Sequence, residues 1–160
     1  MQDILALLDC LKRSVPILSQ LVQSIPEKKL HRRRGDDFWT PSEHLCHLAE
    51  VQPMMLGRLQ RFMNEDHPEF VPFIPGEGEA DERPAPMVAA EALSAFADIR
   101  DRQVTLLEAA DGDVWRKTGS HPEYEQYSLH ILVRHILMHD HWHMYRIEEL
   151  WLTTDEYLTA

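Results

Sequence analysis

The chain has 160 residues, of which 44% are hydrophobic and 27% charged, and this composition predicts one globular domain over residues 1–160. Its 16 Lys and Arg stand against 27 Asp and Glu, and the formal net charge of -11 argues against nucleic acid or an anionic membrane surface as a partner. No apolar run approaches the roughly 20 residues of a membrane span. Two cysteines are too few for a disulfide framework, and acidic residues interrupt the N-terminal apolar run, so we expect a cytoplasmic protein without a signal peptide.

The first predicted element is an amphipathic helix. Apolar residues recur at helical spacing between Ile4 and Ile25, and Pro26 ends the pattern. The basic run 28–34, KKLHRRR, follows this helix and precedes two acidic residues. It is interpreted as a solvated loop.

The second predicted helix begins at a capping sequence. Thr40 is a candidate N-cap, Pro41 suits the first helical position, and Glu43 completes a capping box. The helix is predicted to run to about Phe62. A kink is expected at Pro53, because proline lacks the N–H that the helix would use.

Two long connections separate the remaining helices. The stretch 64–87 is rich in proline, glycine and acidic residues and is predicted to be an extended crossover without secondary structure. Helical periodicity predicts a third helix over 88–110 and a last helix over 128–152. The segment 115–127 between them is predicted to be a second connection.

Four helices without strands predict an all-α protein, a four-helix bundle. The long crossover between helices two and three allows these two helices to run parallel. The predicted order is therefore up-down-down-up.

Histidine is the residue type that stands out, with ten in the chain and four between His135 and His143. On a helical wheel with about 100° per residue, His139 and His143 lie on the apolar stripe of the last helix and His135 flanks it, while His141 points away. Imidazoles on an apolar face are costly to bury unless they are hydrogen-bonded or bound to a metal. A pair spaced four residues apart offers two nitrogens to one ion, but hydrogen-bonded core histidines explain the pair equally well.

A third ligand from another helix would favour a metal, and helix two supplies two candidates, His44 and His47. His44 falls near the centre of the apolar stripe of that helix, and His47 lies about 60° from it. Periodicity leaves both candidates open. The histidine that is not a ligand is expected at the surface or behind a ligand.

Two motifs together share the pattern of a known family. WTPSEHLCHLAEVQ holds a Trp, a Ser or Thr, a Glu and a His-Leu pair, here Trp39, Thr40, Glu43, His47 and Leu48. HILMHDHWHMYRIEEL holds a His-Asp-x-x-His motif, here His139, Asp140 and His143. The chain from Trp39 to Leu150 resembles the DinB/YfiT superfamily of small metal-dependent four-helix proteins. The resemblance implies a single DinB-like domain with a metal triad of His47, His139 and His143.

The resemblance also implies a divalent metal cofactor, zinc, nickel or iron, and activity as a hydrolase or as a transferase that uses a low-molecular-weight thiol. Three imidazoles leave coordination positions open, as in catalytic sites. A bound divalent ion favours hydroxide over water and thiolate over thiol, so such a site would activate either against a small electrophilic substrate. The alternative is a non-catalytic metal-binding or interaction module of the same fold, because no general base is evident beside the triad.

Other residues are assigned places around this site. The connection 115–127 is a candidate wall of a substrate route, with aromatic rings at Trp115, His121, Tyr124 and Tyr127. Asp140 lies about 100° from His139, and a surface salt bridge is favoured over a role behind the ligand. A carboxylate-bridged di-iron bundle is disfavoured, because helix one has no central Glu.

An apolar strip is predicted on the outside of the last helix. Its aromatic residues, Trp142, Tyr145 and Trp151, exceed what one core stripe can bury. We therefore expect a homodimer.

Overall fold

The computed structural model describes residues 2–71 and 83–158. In chain order the elements are α1 (Gln2–Ser24), α2 (Glu27–Leu30), α3 (Pro41–Asn64), α4 (Ala89–Glu108), α5 (Gly112–Trp115), β1 (Thr118–His121), β2 (Tyr124–Ser128), α6 (Leu129–Leu152) and a 3-10 turn (Asp155–Tyr157). The four predicted helices correspond to α1, α3, α4 and α6. No described helix combines the length and the apolar character needed to cross a bilayer.

Helices α3 and α4 run parallel. Near the start of α3, the sulfur of Cys46 accepts a hydrogen bond from the backbone N–H of Met87, just before α4, at 3.3 Å. Further along α3, Gln52 Oε1 accepts from Arg100 Nη2 at 3.2 Å. The contacts advance in the same direction along both helices, as the crossover predicts.

The other two helices run opposite to this pair. His130, at the start of α6, lies 2.6 Å from the carboxylate of Asp3, at the start of α1, so α1 and α6 are parallel to each other. His44, at the start of α3, contacts His143, late in α6, so these two helices are antiparallel. The predicted up-down-down-up bundle is confirmed.

The core consists of two apolar clusters with polar side chains between them. One cluster includes Leu11, Leu59, Leu107 and Leu132. The other includes Leu18, Leu48, Phe96 and Ile147. Each long helix contributes to the polar layer, which is formed by the buried side chains of Ser14, Gln52, Arg100, Gln103 and Asp140.

Local capping explains where the helices that carry histidines begin. Thr40 and Glu43 form the predicted capping box at the start of α3. The side chain of Ser128 accepts from the backbone N–H of Ile131 at the start of α6. Pro53 lies on the exposed side of α3, and the helix continues past it.

The prediction of no strands was wrong. The segment 118–128 forms an antiparallel hairpin with Thr118 paired to Ser128. Its strands of four and five residues are too short for alternation to mark them in the sequence. The hairpin is stabilised where Tyr127 packs against the rings of Phe62 and Phe70.

The first part of the predicted crossover is also paired. Ser120 in β1 donates its backbone N–H to Pro68 at 3.0 Å and accepts from Phe70 at 2.8 Å. A Cβ at Gly119 would lie 2.6 Å from the oxygen of Pro68, so this close approach requires glycine. Residues 72–82 of the crossover lie outside the described residues.

The basic run is not only a solvated loop. The side chain of Arg34 is 2% exposed and donates to the backbone oxygens of Leu150 and Thr153, both at 2.8 Å. The last carbonyls of α6 have no partners within the helix, so a buried guanidinium satisfies them. The run thus fixes the end of the helix that carries the histidine pair.

Candidate metal centre

Three histidines meet at the seam between α3 and α6. His47 Nε2 lies 3.3 Å from His139 Nε2. The ring of His143 lies 4.7 Å from the ring of His47 and 4.5 Å from that of His139, centroid to centroid. One nitrogen from each of the three falls within 4.8 Å of the others. These are the residues that the family resemblance selects.

The helix geometry explains this convergence. His139 and His143 are one turn apart on α6, so their side chains share a face. The antiparallel packing of α3 places His47 opposite them. His143 is buried, whereas His47 and His139 are half-buried. The group therefore lies at the edge of the core.

Burial lowers the pKa of all three imidazoles, because the charged ring would lose its water. The pKa of His139 falls to about 4 and that of His143 to about 2, with neighbouring imidazoles adding to the effect of desolvation. The pKa of His47 is lowered for the same first reason. At neutral pH each ring is uncharged and carries one nitrogen lone pair, the form in which histidine binds a metal.

His44 occupies a second position against the same group. Its side chain is 3% exposed, and its Nδ1 lies 2.8 Å from Nδ1 of His143. Burial, with a smaller effect of Arg146, lowers the pKa of His44 to about 3. Both histidines of α3 thus lie at the site, His47 in the group of three and His44 behind His143.

Two tryptophan rings contact the group. Trp39 is half-buried, and its ring lies 5.2 Å from that of His47 and 6.1 Å from that of His143. Trp142 meets the ring of His143 edge-on at 4.7 Å. Sequence reasoning placed Trp39 only in the family motif. Its contacts depend on the path of the chain before α3, which helical periodicity does not describe.

The surface position predicted for Asp140 was wrong. Asp140 is fully buried and accepts from Arg100 Nη2 at 2.6 Å, in the polar layer of the core. The positive charge of Arg100 also contributes to the lowered pKa of the neighbouring residue, His139. Asp140 does form a salt bridge, but it joins α6 to Arg100 on α4 inside the bundle and not at the surface.

The hairpin segment contacts α6 one turn before the group of three. Tyr124 lies with its hydroxyl 3.2 Å from Nδ1 of His135, one turn before His139. Trp115, His121 and Tyr127 are buried away from solvent, so these three do not form the exposed wall that the sequence predicts. His141 is exposed, as predicted.

The donor set fits a divalent metal ion. Three neutral imidazoles suit zinc, nickel, iron or copper, and geometry and availability decide among these ions. The group of three contains no carboxylate or thiolate ligand among the described residues. Such a set leaves at least one coordination position for a molecule from solvent, which is the arrangement of catalytic zinc sites.

The sequence matches a family profile, and the fold is similar to solved structures. The sequence profile of the DinB superfamily matches residues 11–147. The fold is similar to the solved structure of YfiT from Bacillus subtilis, described as a probable metal-dependent hydrolase with an unusual four-helix bundle topology. The two chains are 21% identical with a TM-score of 0.77, and the similarity covers 92% of this chain and 85% of YfiT. Among curated proteins, none matches this chain.

Proposed function

Because the chain belongs to the DinB superfamily, we propose that it is a metal-dependent enzyme whose divalent ion is held by His47, His139 and His143. The observation that carries this proposal is the convergence of three uncharged imidazoles at the edge of the core. YfiT, similar in fold, is described as a probable metal-dependent hydrolase. The ion we propose is zinc, nickel or iron.

The reaction we propose is activation of water or of a low-molecular-weight thiol against a small electrophilic substrate. A bound divalent ion would supply the Lewis acidity that favours hydroxide or thiolate at neutral pH. The chain's own contribution is to hold three neutral nitrogens in place, with the rings of Trp39 and Trp142 packed against His143. Substrate would enter from the side of the half-buried His47 and His139.

A second candidate function is a metal-binding module without turnover. The observation that favours it is the composition of the group of three, which includes no carboxylate among the described residues to act as a general base. An attacking water would then depend on the ion alone for activation. A thiol depends less on a general base, because its pKa is already closer to neutrality than that of water.

The assembly we propose is a homodimer in the cytoplasm. Trp142 is 55% exposed and Tyr145 is 61% exposed, one turn apart on α6. Such a strip is typical of a surface that a partner covers. Trp151 is half-buried against the second apolar cluster, so it adds less to the strip than the sequence predicts.

The test of the proposed function is metal content followed by turnover. Protein purified without a histidine tag is analysed for bound elements and then assayed for conjugation of small thiols to an electrophile. One divalent ion per chain and thiol-dependent conjugation support the enzyme. Bound metal without conjugation or hydrolysis favours the binding module, and no bound metal contradicts both.

A further inference from the structure

The contact between His44 and His143 constrains both rings. Their Nδ1 atoms lie 2.8 Å apart, which is hydrogen-bond distance. Each uncharged imidazole has one N–H and one lone pair. One Nδ1 must therefore carry the proton and donate, and the other must accept.

The ligand role of His143 decides which ring donates. Because its Nδ1 is engaged with His44, the nitrogen that His143 offers to a metal is Nε2. Nε2 must then carry the lone pair, and the proton of the ring resides on Nδ1. It follows that His143 donates and Nδ1 of His44 accepts.

The second nitrogen of His44 supports a role beyond packing. With Nδ1 accepting, the proton of His44 resides on Nε2, and this atom is buried without a hydrogen-bond partner among the described residues. A buried donor without a partner costs free energy, so an apolar side chain would suit packing alone better. The ring of His44 is also fixed, with Trp39 at 5.2 Å and Trp142 at 5.8 Å between centroids.

We propose that His44 is a positioning residue that holds His143 in the ring orientation and tautomer required of a metal ligand. Ligand histidines usually donate their other N–H to an acceptor behind them. Here the acceptor is a second, uncharged imidazole, which fixes the ring without placing a negative charge beside the ion. This inference rests on the proposed metal site.

The experiment compares His44→Leu, which removes the acceptor and keeps the site apolar, with His44→Asn, whose side-chain oxygen can replace Nδ1 as acceptor. His141→Leu is the matched control, because His141 is an exposed histidine on the same helix as His143. Zinc affinity is measured by competition with a chelator. We expect His44→Leu to weaken zinc binding by about 10- to 100-fold, His44→Asn to recover part of the loss, and His141→Leu to leave it unchanged.

A second readout separates positioning from a general loss of structure. Nitrogen-15 NMR of the imidazoles reports which nitrogen of His143 carries the proton, with and without zinc. In the metal-free wild type we expect the proton on Nδ1, and in His44→Leu a mixture with the proton also on Nε2. This measurement on the wild type needs no variant, so it remains decisive if His44→Leu does not fold.

The outcomes separate a failure of the positioning role of His44 from a failure of the proposed metal site. If the wild type binds no zinc, nickel or iron, the metal site itself fails. If it binds zinc and His44→Leu binds equally well with an unchanged His143 tautomer, the positioning role fails and the metal site stands. A metal-free wild type with the His143 proton on Nε2 would also overturn the positioning role.

Discussion

Arg100 on α4 donates a 2.6 Å hydrogen bond to Asp140 on α6, joining two diagonally opposite helices through the centre of the bundle. Both side chains are buried, and Gln52 Oε1 accepts from Arg100 in the same layer. Desolvation lowers the pKa of Arg100 and raises that of Asp140 to about 6, despite the attraction between them. The pair is therefore costly to bury, and losing one partner should matter more than losing both.

The first prediction concerns this pair. Arg100→Met leaves the carboxylate of Asp140 buried without its guanidinium, and we expect a loss of about 3–5 kcal/mol in the free energy of unfolding. The double variant Arg100→Met with Asp140→Leu removes both charges and should recover most of that loss. Urea denaturation of the metal-free proteins measures both values.

A control for this prediction is the exposed ion pair between Arg116 and Asp113. Arg116→Met should have little effect, because an exposed pair is solvated and screened. If the double variant in the core is as unstable as Arg100→Met alone, the loss comes from packing and the electrostatic explanation is wrong.

The second prediction concerns the metal ligands. His47→Ala, His139→Ala and His143→Ala should each strongly reduce metal content, because two remaining imidazoles form a much weaker site. His141→Ala should retain the metal, since His141 is exposed on α6. Elemental analysis of untagged protein gives the occupancy of each variant.

Equal occupancy in the His47 and His141 variants would contradict the proposed ligand set. If His44→Ala abolished binding while His47→Ala had no effect, His44 would be the ligand from α3. The buried position of His44 at the centre of the apolar stripe would then have been the better guide than the family motif.

The sequence was sufficient to predict the four long helices, because their apolar periodicity extends over 20 or more residues and a capping box marks the start of α3. The parallel arrangement of α3 and α4 followed from the length of the crossover. The family resemblance rested on motifs in α3 and α6, and the match over 11–147 confirms it. Spacing also showed that His139 and His143 share a face.

Other features depend on contacts that one helix cannot reveal. A helical wheel gives an angle from the apolar stripe, but α6 packs on α1 and α3 and faces α4 across the bundle, so Asp140 is buried about 100° from His139. The sequence did indicate that Arg100, the partner of Asp140, is buried. Arg100 is spaced four residues from both Phe96 and Val104, which lie in the core. The helical wheel also treated His44 and His47 as alternative ligands. In the structure His44 lies behind His143, and His47 lies beside it.

The third prediction concerns pH. Burial lowers the pKa of His44, His139 and His143 to about 3, 4 and 2, below the ordinary value of about 6.5 that the unfolded chain has. Below pH 6.5 the unfolded state therefore binds more protons at these three imidazoles than the metal-free folded state does. Asp140, whose pKa is raised to about 6 in the folded state, opposes this effect, but it is one group against three. We expect the free energy of unfolding to fall as the pH is lowered from 7 to 5, measured by urea denaturation in the presence of a chelator.

This pH dependence should become shallower in His143→Leu, which removes one of the groups that must stay uncharged. His141→Leu serves as the control and should leave the slope unchanged, because His141 is exposed on the same helix and is not part of the buried histidine group. Identical slopes in the wild type and His143→Leu between pH 7 and 5 would contradict the prediction.

The fourth prediction concerns assembly. If the strip around Trp142 and Tyr145 is the homodimer surface, light scattering at high micromolar concentration should give twice the chain mass of 18.7 kDa. Tyr145→Lys places a charge in that surface and should shift the protein to monomer. Tyr157→Lys, at another exposed tyrosine beyond α6, should leave the dimer intact. A monomeric wild type under these conditions would contradict the homodimer.

The fifth prediction separates an enzyme from a binding module. Catalysis by a metal requires a coordination position that an outside molecule can occupy, whereas a structural site is closed by four protein ligands. The group of three supplies imidazoles alone, and His47 and His139 are half-buried rather than enclosed. We therefore expect azide or a small thiol to change the visible absorption spectrum of the cobalt-substituted protein.

The same change should be absent in His143→Ala and retained in His141→Ala. The first variant lacks one of the three nitrogens, so the ion is lost or bound differently, whereas the second changes an exposed residue of the same helix. A thiol that alters the spectrum more than azide does would favour thiol activation over hydrolysis, because sulfur donates charge to the ion more strongly than the harder anion. A cobalt spectrum typical of four protein ligands, unaffected by any added thiol or anion, would contradict the enzyme and leave the metal-binding module as the function of this site.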